Sequence, residues 1–285
     1  MISILMSTYN GERYLSEQIE SFLKQTVQEW QLFVRDDGSK DNTLSILKDY
    51  ELKYPAKIFV VNDVTQNLGA GESFMHLLSK FESDYYMFSD QDDVWMPDKI
   101  ERTLQKIKSL ESIHGSSTPI GVFTDLTVVD SELKVLMPSL WKADNRHPEY
   151  VRSFYKQWTN RHASYGCTQM FNRAAKNIVL PYRQFEGVMG AHDNWVEYIL
   201  IKKGVYDYLD EPTILYRQHG RNVVGANFGH QYKDDVHDIM HKPASLFAKL
   251  KKDYKRMRMM PFYVSPMMVL WYRIYQTLWA LIRKS

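Results

Sequence analysis

Over the first 115 residues, short apolar runs alternate with stretches of helical period. The apolar runs are ISILMS, WQLFVR, KIFVVND and YYMFSD. Between the first two, Tyr14, Leu15, Ile19, Phe22 and Leu23 fall on one helical face. Leu44 and Leu47 mark a second helix, and Phe74, Leu77, Leu78 and Phe81 a third. Pro97 opens a fourth, with Ile100, Leu104, Ile107 and Leu110 as its apolar stripe. Strands that read as unbroken apolar runs are buried on both faces, and strands separated by helices pair through crossovers. The pattern predicts an α/β fold, a parallel sheet covered by helices on both sides.

In such sheets ligands bind beyond the carboxyl ends of the strands. The polar segments STYNGE, DDGSKDN, NDVTQNLGAG and DQDD follow the four strands directly and converge on one edge. After residue 115 the pattern loosens. IGVFTDLTVVD and SYGCTQMFN read as strands, and HDNWVEYILIKKG as a helix with Trp195, Tyr198, Ile199 and Lys202 in step. VYDYLD and TILYRQHG read as two further strands, and the segment from Trp141 to Trp158 has no clear period.

The tail differs. HKPASLFAKLKKDYKRMRMM is basic, and VSPMMVLWYRIYQTLWALIRKS is apolar and aromatic. Together they read as an interfacial membrane anchor, in preference to helices packed on the domain or forming a homo-oligomer interface. The expected organisation is a domain over 1–240 and a helical tail over 241–285. The domain would divide into a first half (1–115), which carries the polar strand-end motifs, and a second half (116–240).

With 285 residues, 44% of them hydrophobic, the chain can bury a full core and sits near the upper size of one domain. A net charge of +2 points to no nucleic acid partner. Cys167 is the sole cysteine and reads as a small buried apolar residue. No signal-peptide pattern follows Met1 and no apolar run is long enough to span a bilayer, so the body reads as cytoplasmic, peripheral on the inner face of the membrane.

The segment FSDQDDVWMPDKI sets Asp90, Asp92 and Asp93 at the end of a buried strand. That charge requires a cation. One N-cap before the fourth helix explains one aspartate, not three. A calcium loop fails, because Val94 and Trp95 occupy positions that need a ligand and a glycine. A phosphotransferase with Asp90 as nucleophile lacks a convincing partner motif. A nucleoside diphosphate held through Mn²⁺ or Mg²⁺ fits, since such ions take one or two carboxylates and leave the remaining positions to phosphate and water.

The segments TYN, QT, DDGSKDNT and DQDDVWMPDK occur in the order and spacing of the family 2 glycosyltransferases, which this sequence closely resembles over about its first hundred residues. GAHDNW and YRQHGRNVVG resemble the bacterial rhamnosyltransferase-like branch. The resemblance implies a GT-A fold, Rossmann-like, with a mixed, mostly parallel sheet flanked by helices, here with a C-terminal helical extension. It implies that Ser7, Thr8 and Tyr9 contact base and ribose, that Asp37 accepts from the pyrimidine N3–H, and that Asn67 contacts the nucleotide. It places Asp92 on the metal and Asp90 on ribose or a metal-bound water.

Asp193 is the implied catalytic base, with helix capping as its alternative role; the family's acidic residue before it is replaced by His192. His219 is a further candidate metal ligand, and Arg217 and Arg221 are candidates for the diphosphate. Trp95 and Trp141 could stack on sugars, although Trp is more often core. The implied activity is inverting, metal-dependent transfer of a sugar, L-rhamnose from dTDP-L-rhamnose, to a hydroxyl of a lipid-linked cell-surface polysaccharide. The alternatives are a UDP-sugar donor, the phosphotransferase, or a binding module without turnover.

Overall fold

A computed structural model describes residues 1–61, 67–182, 192–219 and 243–282. The first half runs β1 (Ile2–Thr8), α1 (Leu15–Leu23), β2 (Trp30–Asp36), α2 (Thr43–Lys53), β3 (Ile58–Val60), α3 (Ala70–Lys80), β4 (Tyr85–Ser89), β5 (Val94–Trp95) and α4 (Lys99–His114). There follow β6 (Ile120–Val129), β7 (Val135–Met137), α5 (Leu140–Ala143), α6 (Phe154–Thr159), β8 (Met170–Asn172), α7 (Arg173–Val179), α8 (His192–Lys203) and β9 (Val205–Arg217). The tail holds α9 (Pro243–Met259) and α10 (Pro266–Ile282).

Among the described residues the strands form one sheet in the order β3-β2-β1-β4-β8-β6-β9-β5, with β7 paired to β6. β3, β2, β1 and β4 are mutually parallel, as are β6 and β9, while β8, β5 and β7 pair antiparallel. The sheet is therefore mixed and mostly parallel. Alternation along each strand feeds two cores. Ile2, Ile4 and Met6 of β1 point with Leu32 and Val34 of β2 towards α1, α2 and α4. Leu5, Phe33 and Phe88 point the other way, onto α3, α7 and α8. Both faces are covered, as a parallel sheet requires.

The second half departs from the sequence reading in three places. VYDYLD and TILYRQ form one strand of 13 residues, β9, and not two. β9 lies along the long β6, and a register shift between Thr124 and Asp125 takes up Asp210 and Glu211 just before Pro212, with a second shift following before Thr127. Pro212 has no N–H to offer a ladder, so an irregularity is where it fits. In SYGCTQMFN only Met170–Asn172 is strand; a 3₁₀ turn over Gly166–Thr168 precedes it. The aperiodic stretch from Trp141 to Trp158 folds as short helical pieces, α5, a 3₁₀ turn over Pro148–Arg152, and the start of α6.

Candidate active site

The first loop leaves β1 at Ser7, Thr8 and Tyr9. Thr8 Oγ1 donates to Asp36 Oδ1 at 2.8 Å, which ties β1 to the start of the DDGS turn. Asp36 Oδ2 also accepts from the N–H groups of Gly38 (3.2 Å) and Ser39 (2.8 Å), closing a side-chain turn. Gly38 has φ +90°, the left-handed region that glycine enters without steric cost. The same loop is tied to the acidic segment by Gln91. Its Oε1 accepts from Tyr9 N at 2.9 Å and its Nε2 donates to Tyr9 O at 3.0 Å, so the carboxamide pairs with backbone as a neighbouring strand would. A β-carbon at Gly11 would collide with that carboxamide. Sequence reasoning missed Gln91 and Gly11; the glutamine inside DQDD and the glycine of YNG were the available signals.

Asp37 is buried, 3% exposed. Its carboxylate pairs with the Arg35 guanidinium and accepts from Leu68 N at 2.7 Å and Gly69 N at 2.8 Å. Asn67 donates from Nδ2 to the Asp37 carbonyl at 2.8 Å. Asp37 lines the cleft; Asn67 is not among the lining residues and stands behind Asp37 as a brace.

The three aspartates separate by role. Asp90 and Asp92 line the cleft. Asp93 is turned into the interior, fully buried, with Oδ1 accepting from Arg217 N at 3.1 Å. Burial first, then the charges of Asp92 and Asp193, push the Asp90 carboxyl up to about 7. Burial, then Asp92 and Asp90, raise the Asp93 carboxyl well above the usual carboxylate range. Two carboxyls held towards neutrality by burial and by their neighbours mark this strand end as a candidate functional site. Cys167 is buried against Asp90 and Asp93, and burial pushes its thiol up, so it is no thiolate nucleophile. Lys99 is buried beneath the segment, over the Trp95 ring at 4.8 Å, and burial brings its ammonium down to about 7.

His219 Nε2 lies 2.7 Å from Asp92 Oδ2, so the structure brings together the two residues expected to hold the metal. The Asp92 oxygen with the adjacent His219 imidazole suits Mn²⁺ or Mg²⁺, whereas the Asp90 carboxylate lies with Asp93 and Cys167. Arg217 takes a different place. It is 2% exposed and outside the cleft lining. Its Nε donates to Asp92 O at 2.8 Å, Nη1 to Ser131 O at 2.6 Å, and Nη2 pairs with Glu17. With those donors engaged it holds the acidic loop from behind, and no diphosphate contact follows. Trp95 and Trp141 are buried too, Trp95 against Phe22 and Trp141 against Phe123, so neither can stack on a sugar. Arg221 lies outside the described residues, as does part of the NDVTQNLGAG loop.

Asp193 enters the same cleft from the first turn of α8. Its Oδ1 accepts from Asn194 N at 2.7 Å and Oδ2 from Gly166 N at 3.2 Å. Burial raises its carboxyl, partly offset by the Asn194 bond. The cleft encloses about 950 Å³, a volume that fits a nucleotide sugar.

Residues 3–179 match the family described as Glycosyl transferase family 2. The chain is 30% identical over 239 residues to "dTDP-rhamnosyl transferase RfbG" of Shigella flexneri, covering 80% of this chain and 76% of that one. The chain belongs to glycosyl transferase family 2. Solved structures with the same fold include S. aureus TarS 1–349 in complex with UDP-GlcNAc (TM-score 0.54, 20% identity, 78% of this chain and 59% of that one). Another is the mannosyltransferase PcManGT of Pyrobaculum calidifontis in complex with GDP-Man and Mn²⁺ (TM-score 0.58, 15% identity, 96% and 69%). The chain thus spans about three fifths of the TarS fragment. A family 2 glycosyltransferase with the GT-A fold leaves the Asp90 phosphotransferase reading without support.

Proposed function

We propose that this glycosyltransferase moves L-rhamnose from dTDP-L-rhamnose, with inversion, onto a hydroxyl of a lipid-linked cell-surface polysaccharide at the inner face of the membrane. One observation carries the reading: a single cleft joins the carboxylates of Asp90 and Asp92 to that of Asp193. One end suits a diphosphate and the other a proton acceptor. Residues 1–115 would hold the nucleotide and 116–240 the acceptor. Ser7, Thr8 and Tyr9 would border base and ribose, and Asp37 would accept from N3–H. Thymine and uracil share that donor, so the site chemistry also admits a UDP-sugar, and the RfbG relative favours dTDP-L-rhamnose.

Asp92 and His219 would hold Mn²⁺ or Mg²⁺, with Asp90 on ribose or a metal-bound water, and the ion would offset charge building on the leaving diphosphate. Asp193 would accept the proton of the acceptor hydroxyl as that oxygen attacks the anomeric carbon from the face opposite the diphosphate. A raised carboxyl is the better base near neutral pH.

Thermal unfolding with dTDP, UDP, GDP and ADP, with and without Mn²⁺, tests the donor end by mass action. The expected result is protection by dTDP, dependent on metal and lost in Asp92→Asn. Protection by UDP alone would reassign the donor, and protection by no nucleotide would sink the reading. Asp193→Asn should lose about 10²–10⁴-fold in transfer while keeping nucleotide protection; full activity would remove the base assignment.

A further inference from the structure

The last helix is inside out. On α10, Val269, Tyr272, Arg273 and Gln276 are turned to the domain. Arg273 donates from Nε and Nη2 to the Asp253 carboxylate at 3.0 and 3.2 Å, and from Nη1 to Thr159 O at 2.7 Å. Gln276 Nε2 reaches Thr159 Oγ1 at 3.1 Å. The opposite face carries Met267, Trp271 and Ile274 at i, i+4 and i+7, exposed by 81%, 54% and 45%, with Leu270 and Tyr275 beside them. A helix on a water-facing surface does the reverse, turning its polar side out. Eight of the fourteen large apolar side chains exposed among the described residues lie between Tyr254 and Tyr275, so the patch is concentrated and not scattered.

The helix before it supplies charge. Lys251, Lys255 and Arg258 of α9 are exposed, also at i, i+4 and i+7. Residues 243–276 hold seven lysines and arginines against one carboxylate, Asp253, which is internal. A second copy docking by the same patch would set this cationic face against itself, as a two-fold contact must. An anionic bilayer complements both features: tryptophan and tyrosine settle at headgroup level, and lysine and arginine are drawn to lipid phosphate. Among the described residues no helix is long and apolar enough to cross a membrane, so the surface can lie on a bilayer but not span it.

We propose that α9 and α10 form a docking surface for an anionic lipid bilayer, with Met267, Trp271 and Ile274 entering the interface and Lys251, Lys255 and Arg258 meeting lipid phosphate. This deepens the membrane placement above and does not depend on the donor. Flotation of the full chain with phosphatidylcholine vesicles, with and without phosphatidylglycerol, tests it. The expected result is flotation with the anionic vesicles only. It should fall about tenfold or more in Trp271→Glu/Ile274→Glu and in Lys251→Ser/Lys255→Ser. Equal flotation with neutral vesicles, or flotation unchanged in both variants, would overturn the proposal. A wild-type dimer in sedimentation velocity that Trp271→Glu dissociates would overturn it too, by giving the face to a second copy. Nucleotide protection measured on the same variants keeps the two readings apart: intact protection with lost flotation fits the docking surface, and lost protection in the wild type strikes only the donor assignment.

Discussion

His192 shows how a single side chain records its surroundings. Its ring packs at a tilt on Phe74, centroids 4.2 Å apart, and meets Phe88 edge-on at 4.6 Å, under Gly166, where an added β-carbon would lie 2.7 Å from Nε2. Neither ring nitrogen has a partner among the described residues, and burial brings the imidazole down to about 3. Charging it in that apolar cage is unfavourable, so the folded state keeps it neutral while the unfolded chain takes up a proton near pH 6.5. The unfolded state binds more protons between those values. Stability from this group is therefore complete above pH 6.5 and is lost as pH falls towards 3. Unfolding free energy followed against pH should show that acid limb, and His192→Phe should flatten it; an unchanged slope would mean the ring is solvated. The sequence flagged His192 only as a departure from an acidic family position. Its burial came from residues on α3 and β4, far away in the chain.

At the level of elements, the strand-end loops depend on one another. Gln91 reads Tyr9 backbone in both directions, and Gly11 makes room for it. Gly11→Ala should push the carboxamide out and loosen both loops, weakening nucleotide protection more than it lowers the melting temperature. Gln91→Ala removes the collision but also the pairing. A double-mutant cycle should give a coupling of about 1 kcal/mol or more, and simple additivity would show the two loops to be independent. The convergence of these loops was legible from strand-helix alternation alone, because a parallel sheet puts every strand's carboxyl end on one edge. The carboxamide bridge was not, since residues 9 and 91 meet only after three crossovers. Arg217 was misread for the same kind of reason. An arginine beside a candidate metal ligand suits phosphate on chemistry, yet β9 delivers it to the rear of the acidic loop, where Asp92 O, Ser131 O and Glu17 use its donors.

Across the whole molecule, the tail is held by charge at its base. Asp253 is 1% exposed and pairs with Arg273, with Arg256 3.7 Å away. Removing one partner of a buried pair leaves the other uncompensated. Asp253→Ala should cost toward the low end of roughly 3–5 kcal/mol, seen as a lower urea midpoint. Glu149→Ala, at an exposed pair with His147, should cost under about 1 kcal/mol. Equal effects would mean that the Asp253 pair is solvated. The orientation of α10 follows from this latch: Arg273 and Gln276 are drawn inward to Asp253 and Thr159, and the apolar side is left outward.

Local information alone determined the α/β alternation, the converging polar loops, the crowding of Asp90, Asp92 and Asp93 at one strand end, and the basic, aromatic character of the tail. Period, turn chemistry and charge density are properties of neighbours in the chain. Tertiary structure decided which aspartate faces the cleft and which is buried, that Asp193 shares that cleft, that Trp95 and Trp141 belong to the core, and which face α10 shows to the outside. Each of these depends on partners far apart in sequence, and only packing fixes which groups lose their water and which keep it.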